Sequence, residues 1–285
     1  MQHFAIIYKR TRSQAASLAV QLAAWLEARG HAAFCHENVD TSCIGCQSTA
    51  PSFHIPESVQ AVIVLGGDGT FLSVARLLAG RTTPVVGINL GGLGFLTEVS
   101  IEACFQEMEE ILAGHYDVEE RMRLNIEVRR NGRQVFHHKV LNDAVINKGA
   151  LARIIHVKTS IDGRFLTHYR GDGLIVATPT GSTAYNLSAG GPIVTPTAHC
   201  IILNPICPFT LTHRPIILDP SVTIQAEMGE PAEDVILTCD GQIGCELVAS
   251  DRIIITANSN PLRLIKTPST DYFAVLRTKL QWGQN

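Results

Sequence analysis

Ala61-Val62-Ile63-Val64-Leu65-Gly66-Gly67-Asp68-Gly69-Thr70-Phe71-Leu72-Ser73-Val74-Ala75-Arg76-Leu77-Leu78-Ala79-Gly80 decides the fold. An unbroken apolar run such as 61–65 reads as a parallel strand buried on both faces. The residues from Thr70 onward are helix-like and stop at Gly80. The Gly/Asp turn therefore ends a strand and opens a helix, which is where open α/β sheets bind ligands. Glycines let backbone N–H groups approach a phosphate, and a helix N-terminus favours negative charge. Asp68 competes with an anionic ligand for that field. A carboxylate there points to a task, either taking a proton or holding a metal. Taken alone, the stretch also reads as a tight turn with a solvated aspartate.

The flanking sequence alternates strand and helix. Residues 4–8 and 32–35 read as strands around a helix at 13–29, whose Leu18, Leu22, Trp25 and Leu26 share a face and whose stop is Gly30. A strand at 84–89 runs into Gly91-Gly92-Leu93-Gly94-Phe95, a second glycine-rich loop on the same edge. Residues 101–114 read as an amphipathic helix capped by Ser100, with Glu102 in its first turn. The alternation predicts a parallel sheet with helices on both faces. Near Tyr116 the pattern changes to strand-like runs separated by Asn131-Gly132, Asp162-Gly163, Asp219-Pro220 and Asp240-Gly241, several of them strong hairpin signals. The expectation is an α/β domain over 1–116 and an all-β domain of sandwich or layered type over 117–270. A tail, 271–285, is expected to return to the first domain.

Composition narrows the function classes. The chain has 285 residues, 46% hydrophobic and 17% charged, with a formal net charge of −3. That balance argues against bulk nucleic-acid binding, which needs a basic surface. No apolar run reaches the ~18 residues of a membrane helix. The N-terminal residues Met1-Gln2-His3-Phe4-Ala5-Ile6-Ile7-Tyr8 read as a first strand rather than a signal peptide, so a cytoplasmic location is expected. Of the eight cysteines, Cys43-x2-Cys46 stands out, with Cys35, His31, His36 and His54 nearby. A metal or redox site there competes with a reduced loop pair or facultative disulfide. The single CxxC in a Ser/Thr/Gly/Pro-rich stretch favours the loop.

Two further stretches carry chemistry. Arg170-Gly171-Asp172-Gly173 leads into a strand at 174–177 and then Thr178-Pro179-Thr180-Gly181-Ser182-Thr183-Ala184-Tyr185-Asn186-Leu187-Ser188-Ala189-Gly190-Gly191-Pro192. Its hydroxyls, glycines and Tyr185 suit a polar planar ligand, although a long surface turn has the same composition. In Leu141-Asn142-Asp143-Ala144-Val145-Ile146-Asn147, an Asn-Asp pair sits among apolar residues, as a turn or a ligand contact.

These pieces, in this order and spacing, resemble the bacterial NAD kinase family, whose marks are GGDGT, an Asn-Glu or Asn-Asp pair, and a GDG…TPTGSTAY…GGP block. The stretches 89–96, Thr212-His213-Arg214-Pro215, Asp240-Gly241-Gln242 and 276–283 extend the likeness. The resemblance implies phosphoryl transfer from ATP to the 2′-hydroxyl of the adenosine ribose of NAD, giving NADP. It also implies an α/β N-terminal domain, a β C-terminal domain, an active site between them, and a homodimer or homotetramer. By carry-over, Asp68 is the proton acceptor and Gly69 its backbone partner. Asn142 and Asp143 hold the adenosine part of NAD. Arg153, Arg170, Asp172, Thr183, Ala184, Tyr185, Asn186, Leu187, Ser188 and Gln242 complete the dinucleotide site. Position 143 is Asp where Glu is commoner, one methylene shorter, and the Cys35–His54 segment carries none of the family marks quoted above.

An alcohol is a far weaker acid than a carboxylic acid of pKa near ~3.9, so Asp68 must accept its proton late, as the P–O bond forms. No GxxxxGK[ST] motif supplies a lysine. A divalent metal, Mg2+ by expectation, backbone amides and arginines are left to hold the triphosphate. A lipid kinase sharing GGDGT would have no use for the 178–192 block, and the sequence shows no basic amphipathic helix or lipidation motif. A non-catalytic dinucleotide-binding regulator could dispense with Asp68.

Overall fold

The computed structural model describes residues 1–9, 11–38, the backbone of 43–44, 54–149, 154–230 and 232–283. The chain forms two compact units, Met1–Asp40, Pro51–Glu120 and Leu262–Asn285 in the first, Thr41–Ala50 and Arg121–Pro261 in the second.

The first unit opens with β1 (His3–Lys9), α1 (Ser13–Glu27) and β2 (Ala32–Asn38). After β3 (Cys43–Ile44), which belongs to the second unit, come β4 (Ala61–Gly66), α2 (Asp68–Leu77), β5 (Val85–Asn89), β6 (Val99–Ser100) and α3 (Cys104–Ala113). β2, β1, β4 and β5 pair in that order, all parallel. Side chains alternate across this sheet. Phe4, Ile6, Ile63, Leu65, Val86 and Ile88 face one way and bury Leu18, Leu22 and Leu26 of α1 with Met108 and Ile111 of α3. Each such side chain contributes roughly 1.5–3 kcal/mol of burial. α2 packs against β4, β1 and β2 with Phe71 and Val74 fully buried.

Two helix starts differ from the sequence expectation. α2 starts at Asp68, because extended Gly67 is its N-cap. α3 starts at Cys104, because the Ser100 hydroxyl takes the Ala103 N–H at 3.3 Å and closes a turn first.

β7 (Asp117–Arg130) enters the second unit at Arg121, and that unit holds β8 (Arg133–Val140), β9 (Asp143–Lys148), β10 (Ile155–Ile161), β11 (Arg164–Gly171) and β12 (Gly173–Ala177). A 3-10 turn (Thr180–Thr183) and α4 (Tyr185–Ser188) follow, then β13 (Ile201–Ile206), β14 (Ile216–Leu218), β15 (Ile224–Met228), β16 (Val235–Cys239), β17 (Ile243–Leu247) and β18 (Arg252–Lys266). Asn131-Gly132, Asp162-Gly163 and Asp240-Gly241 all have positive φ, the geometry of tight hairpin turns. One sheet runs β14-β13-β12-β9-β16-β17-β3, and β11, β10, β15, β18, β7 and β8 pair in the other. Leu174 and Val176 of β12 and Ala144 and Ile146 of β9 face the core shared with Val157, Ile253 and Ile255. Their neighbours Val145, Ile175 and Ala177 face the opposite way, under Ala189 and Val194. The 178–194 block is thus laid on one face of the β9–β12–β13 sheet.

The end of β18 lies in the first unit, where Leu264 pairs with Val85. α5 (Tyr272–Leu280) follows there, its N-cap Asp271 accepting the Phe273 N–H at 2.9 Å. Lys266 and Glu98 form an ion pair shielded from solvent. The side chains of Cys43 and Cys46 lie outside the described residues. Among the described residues no group of three or more His, Cys, Asp or Glu is placed to hold a metal, and no helix is long and apolar enough to cross a membrane.

Candidate active site

In the first unit the site grows from parallel register. Tyr8 pairs with Leu65 and Gly66 with Asn89, so the carboxyl ends of β1, β4 and β5 meet on one edge. A cavity of about 300 Å3 opens there. Gly66, Gly67, Asp68, Asn89, Gly91 and Gly94 line it, together with three cations, Lys9, Arg12 and Lys279. Arg12 donates to the Leu90 carbonyl at 2.6 Å, which fixes its guanidinium over the second glycine loop. Gly66 has no room for a Cβ, which would lie 2.6 Å from the Thr70 hydroxyl.

Asp68 is the first residue of α2, and its carboxylate is held by the second loop. Oδ2 accepts the Phe95 N–H at 3.0 Å. Oδ1 accepts the Leu96 N–H at 3.0 Å, the Thr97 N–H at 3.2 Å and the Thr97 hydroxyl at 3.1 Å. Oδ1 is saturated, whereas Oδ2 has one donor among the described residues and room for another.

In the second unit three antiparallel strand ends converge, since Asp143 pairs with Ala177 and Ala144 with Cys239. Asp240, in left-handed conformation at the β16–β17 turn, organises them. Its carboxylate accepts the Leu141, Asn142 and Asp143 N–H groups, at 2.9, 2.7 and 3.1 Å. Its own N–H bonds the Asp143 carbonyl at 2.9 Å. The Thr178 hydroxyl donates to the Leu141 carbonyl at 2.5 Å, and a Cβ on Gly181 would stand 2.1 Å from the Asn142 carbonyl. So the Asn-Asp pair, the start of the 178–188 block and the Asp240–Gln242 turn form one cluster. Within it, Asn142 Oδ1 and Thr180 Oγ1 are buried without a partner among the described residues. Such atoms are costly unless a ligand or water meets them.

Asp143 is 4% exposed. Burial, and then the charge of Asp240, push its carboxyl up to about 7. Buried Arg123 is pushed down to about 10 by desolvation, and the Asp240 charge opposes that shift. A raised carboxylate pKa costs stability only where the unfolded chain ionises and the folded one resists. The cost is absent below ~4, grows as pH rises and levels off above about 7. Asp143→Asn is therefore expected to raise thermal stability at pH 8 by an amount on the order of 2–4 kcal/mol. The gain should shrink toward pH 4 in unfolding curves across that range.

Residues 4–116 match the family model described as the ATP-NAD kinase N-terminal domain, and residues 141–267 match the ATP-NAD kinase C-terminal domain. The chain belongs to the ATP-NAD kinase family. It is 62% identical over 284 residues to the NAD kinase of Syntrophobacter fumaroxidans and 46% identical to that of Geobacter sulfurreducens, each match covering 100% of both chains. Among solved structures it resembles a yeast NADH kinase complexed with NADH (25% identity, TM-score 0.87, 100% of this chain and 89% of that one). It also resembles an NAD kinase from Archaeoglobus fulgidus in complex with ATP (26% identity, TM-score 0.78, 98% and 99% covered).

The other residues singled out from the family resemblance are dispersed. Thr183 ends the 3-10 turn and Ala184 is the N-cap of α4, both half-buried; Leu187 is half-buried, and Tyr185, Ser188 and Gly69 are exposed. Asn186 is fully buried, and its amide bonds the Ser182 and Pro192 carbonyls and Asn204, so its side chain supports the block. Gln242 lies at the Asp240 turn, with its N–H on the Cys239 carbonyl. Arg170 stacks its guanidinium over Phe209, and Asp172 pairs with Lys148 at 2.8 Å. Those two precede β12 whereas Asn142 and Thr178 adjoin its far end, roughly 16 Å away along the strand. Arg153 lies outside the described residues. Sequence reading missed Lys9, Arg12, Lys279 and the role of Asp240. Lys9 and Arg12 are within reach of sequence reading, because Lys9 ends and Arg12 closely follows a strand parallel to the GGDGT strand.

Proposed function

We propose that this chain transfers the γ-phosphoryl group of ATP to the 2′-hydroxyl of the adenosine ribose of NAD, giving NADP. The observation that carries this reading is a half-buried carboxylate, Asp68, opening a helix beside a cavity lined by glycine loops and three cations. Lys9, Arg12, Lys279, the loop N–H groups and the α2 N-terminus suit a triphosphate. Asp68 is the sole carboxylate among the residues lining the cavity, so the donor set suits a cation that arrives on the nucleotide rather than a resident ion. A divalent metal such as Mg2+ would supply charge neutralisation at the phosphates.

Asn142 and Asp143 hold the adenosine end of NAD, with the unpartnered Asn142 Oδ1 and Thr180 Oγ1 as acceptors for it. Thr183, Ala184, Tyr185 and Ser188 line the same block, with Gln242 at its edge. Asp68 orients the 2′-hydroxyl through Oδ2 and takes its proton as the new P–O bond forms, while Gly69 contributes backbone. Arg170 and Asp172 lie at the opposite end of β12 from Asn142, a separation comparable with the length of an extended dinucleotide. They complete the dinucleotide site in this reading, and the enzyme is taken to be a homodimer or homotetramer. A cytoplasmic location is part of the same proposal.

NADP formation by purified protein with NAD, ATP and Mg2+ tests the reading, and turnover of a lipid extract instead would overturn it. Arg12→Ala and Lys279→Ala are each expected to raise KM for ATP roughly 10- to 100-fold, the effect of one charge-assisted contact. KM for NAD should stay unchanged, and an equal rise in both constants would refute the assignment to the triphosphate.

A further inference from the structure

We propose that Thr97 is a positioning residue for phosphoryl transfer, fixing the Asp68 carboxylate and tying it to the glycine loop of the donor cavity through Asn89. The proposal rests on the reading of Asp68 as proton acceptor.

Thr97 is completely buried and Asn89 nearly so. The Gly91 N–H donates to Asn89 Oδ1 at 2.7 Å, which leaves the Asn89 amide nitrogen as donor to Thr97 Oγ1, also at 2.7 Å. A hydroxyl that accepts there has its own proton to give elsewhere, and Asp68 Oδ1 lies 3.1 Å away. Each direction of this chain is forced. Gly91 and Asn89 line the donor cavity, so the loop that meets the phosphates and the carboxylate that meets the hydroxyl are two ends of one buried hydrogen-bonded chain.

Thr97 is the hinge of that chain because its hydroxyl accepts from Asn89 and donates directly to the Asp68 carboxylate. It also gives its backbone N–H to the carboxylate, and its carbonyl accepts the Gly94 N–H at 3.1 Å. With Oδ1 anchored by three donors, rotation of the carboxylate group breaks all three together. Oδ2 is thereby kept toward the substrate. In a buried setting a hydrogen bond to a charged group is worth more than one at the surface.

Thr97→Val is nearly isosteric and keeps every backbone contact while removing the hydroxyl. Its kcat is expected to fall roughly 10- to 100-fold, with KM for NAD and for ATP each within about twofold. Thr97→Ser keeps the hydroxyl and should restore kcat to within about threefold. A purely structural role would instead lower the melting temperature and leave kcat per folded molecule untouched. Asp68→Asn is measured beside them. If Asp68→Asn is inactive and Thr97→Val keeps full kcat, the positioning role is wrong and the base assignment stands. If Asp68→Asn turns over normally, the base assignment fails and takes this proposal with it. Should Thr97→Val not fold, Thr97→Ala makes the same comparison. Failure of Thr97→Ser to recover kcat would overturn the role of the hydroxyl.

Discussion

Asp68→Asn is expected to lower kcat about 10²–10⁴-fold, the usual contribution of a general base, while NAD binding persists. Two changes act together. The amide cannot take a proton from the 2′-hydroxyl. The side chain must also choose an orientation. Its remaining oxygen is needed at the Oδ1 position, where three donors converge. The NH2 group then falls at Oδ2, against the Phe95 N–H, where two donors face each other. The Asn142 cluster belongs to the second unit and keeps all its own hydrogen bonds. Steady-state turnover and calorimetric titration with NAD separate the two effects. An undiminished kcat would remove Asp68 from the chemistry.

Gly94→Ala should be nearly as damaging, although it removes no functional group. A Cβ at this position would lie 2.2 Å from Asp68 Oδ1 and 2.4 Å from the Thr97 hydroxyl. Neither neighbour can yield cheaply, because the carboxylate holds four hydrogen bonds and Thr97 is completely buried. The carboxylate must swing away, so kcat is expected to drop more than about 100-fold, as misplacement by about 1 Å can cause. Overpacking should add about 1–3 kcal/mol of destabilisation. Turnover and thermal unfolding of the purified variant measure both, and a kcat within threefold of the parent would mean that the loop can relax and that the carboxylate is not tightly held.

The chemistry of the 66–70 turn was readable because all its determinants are local. A buried strand, glycines and a carboxylate at a helix start are recorded in ten consecutive residues. The same holds for the hairpins, where Asn-Gly and Asp-Gly pairs accept positive φ at little cost. The sequence marks Ser100 as the cap of α3, and its side chain does accept a nearby N–H, but that bond closes a preceding turn, a difference of geometry that composition does not carry. Asn186 stood out within a polar block, yet its burial shows that its amide supports that block.

Residue order alone therefore settles the α/β beginning, the β-rich remainder and the family, and it marks the carboxylate that the fold brings to the glycine-lined cavity. These follow from short-range patterns and from motifs that survive in linear order. Other features exist only in the folded chain. Lys9, Arg12 and Lys279 share one cavity because parallel register aligns β1 with β4 and because the tail returns to the first unit. Asp240 holds Asn142 and Asp143 from about a hundred residues away because antiparallel pairing brings β16 beside β9. Thr97 meets Asp68 because two loops end on one sheet edge. Long-range pairing sets these contacts, and a hydrogen bond between residues distant in sequence leaves no periodicity in the chain from which to read it.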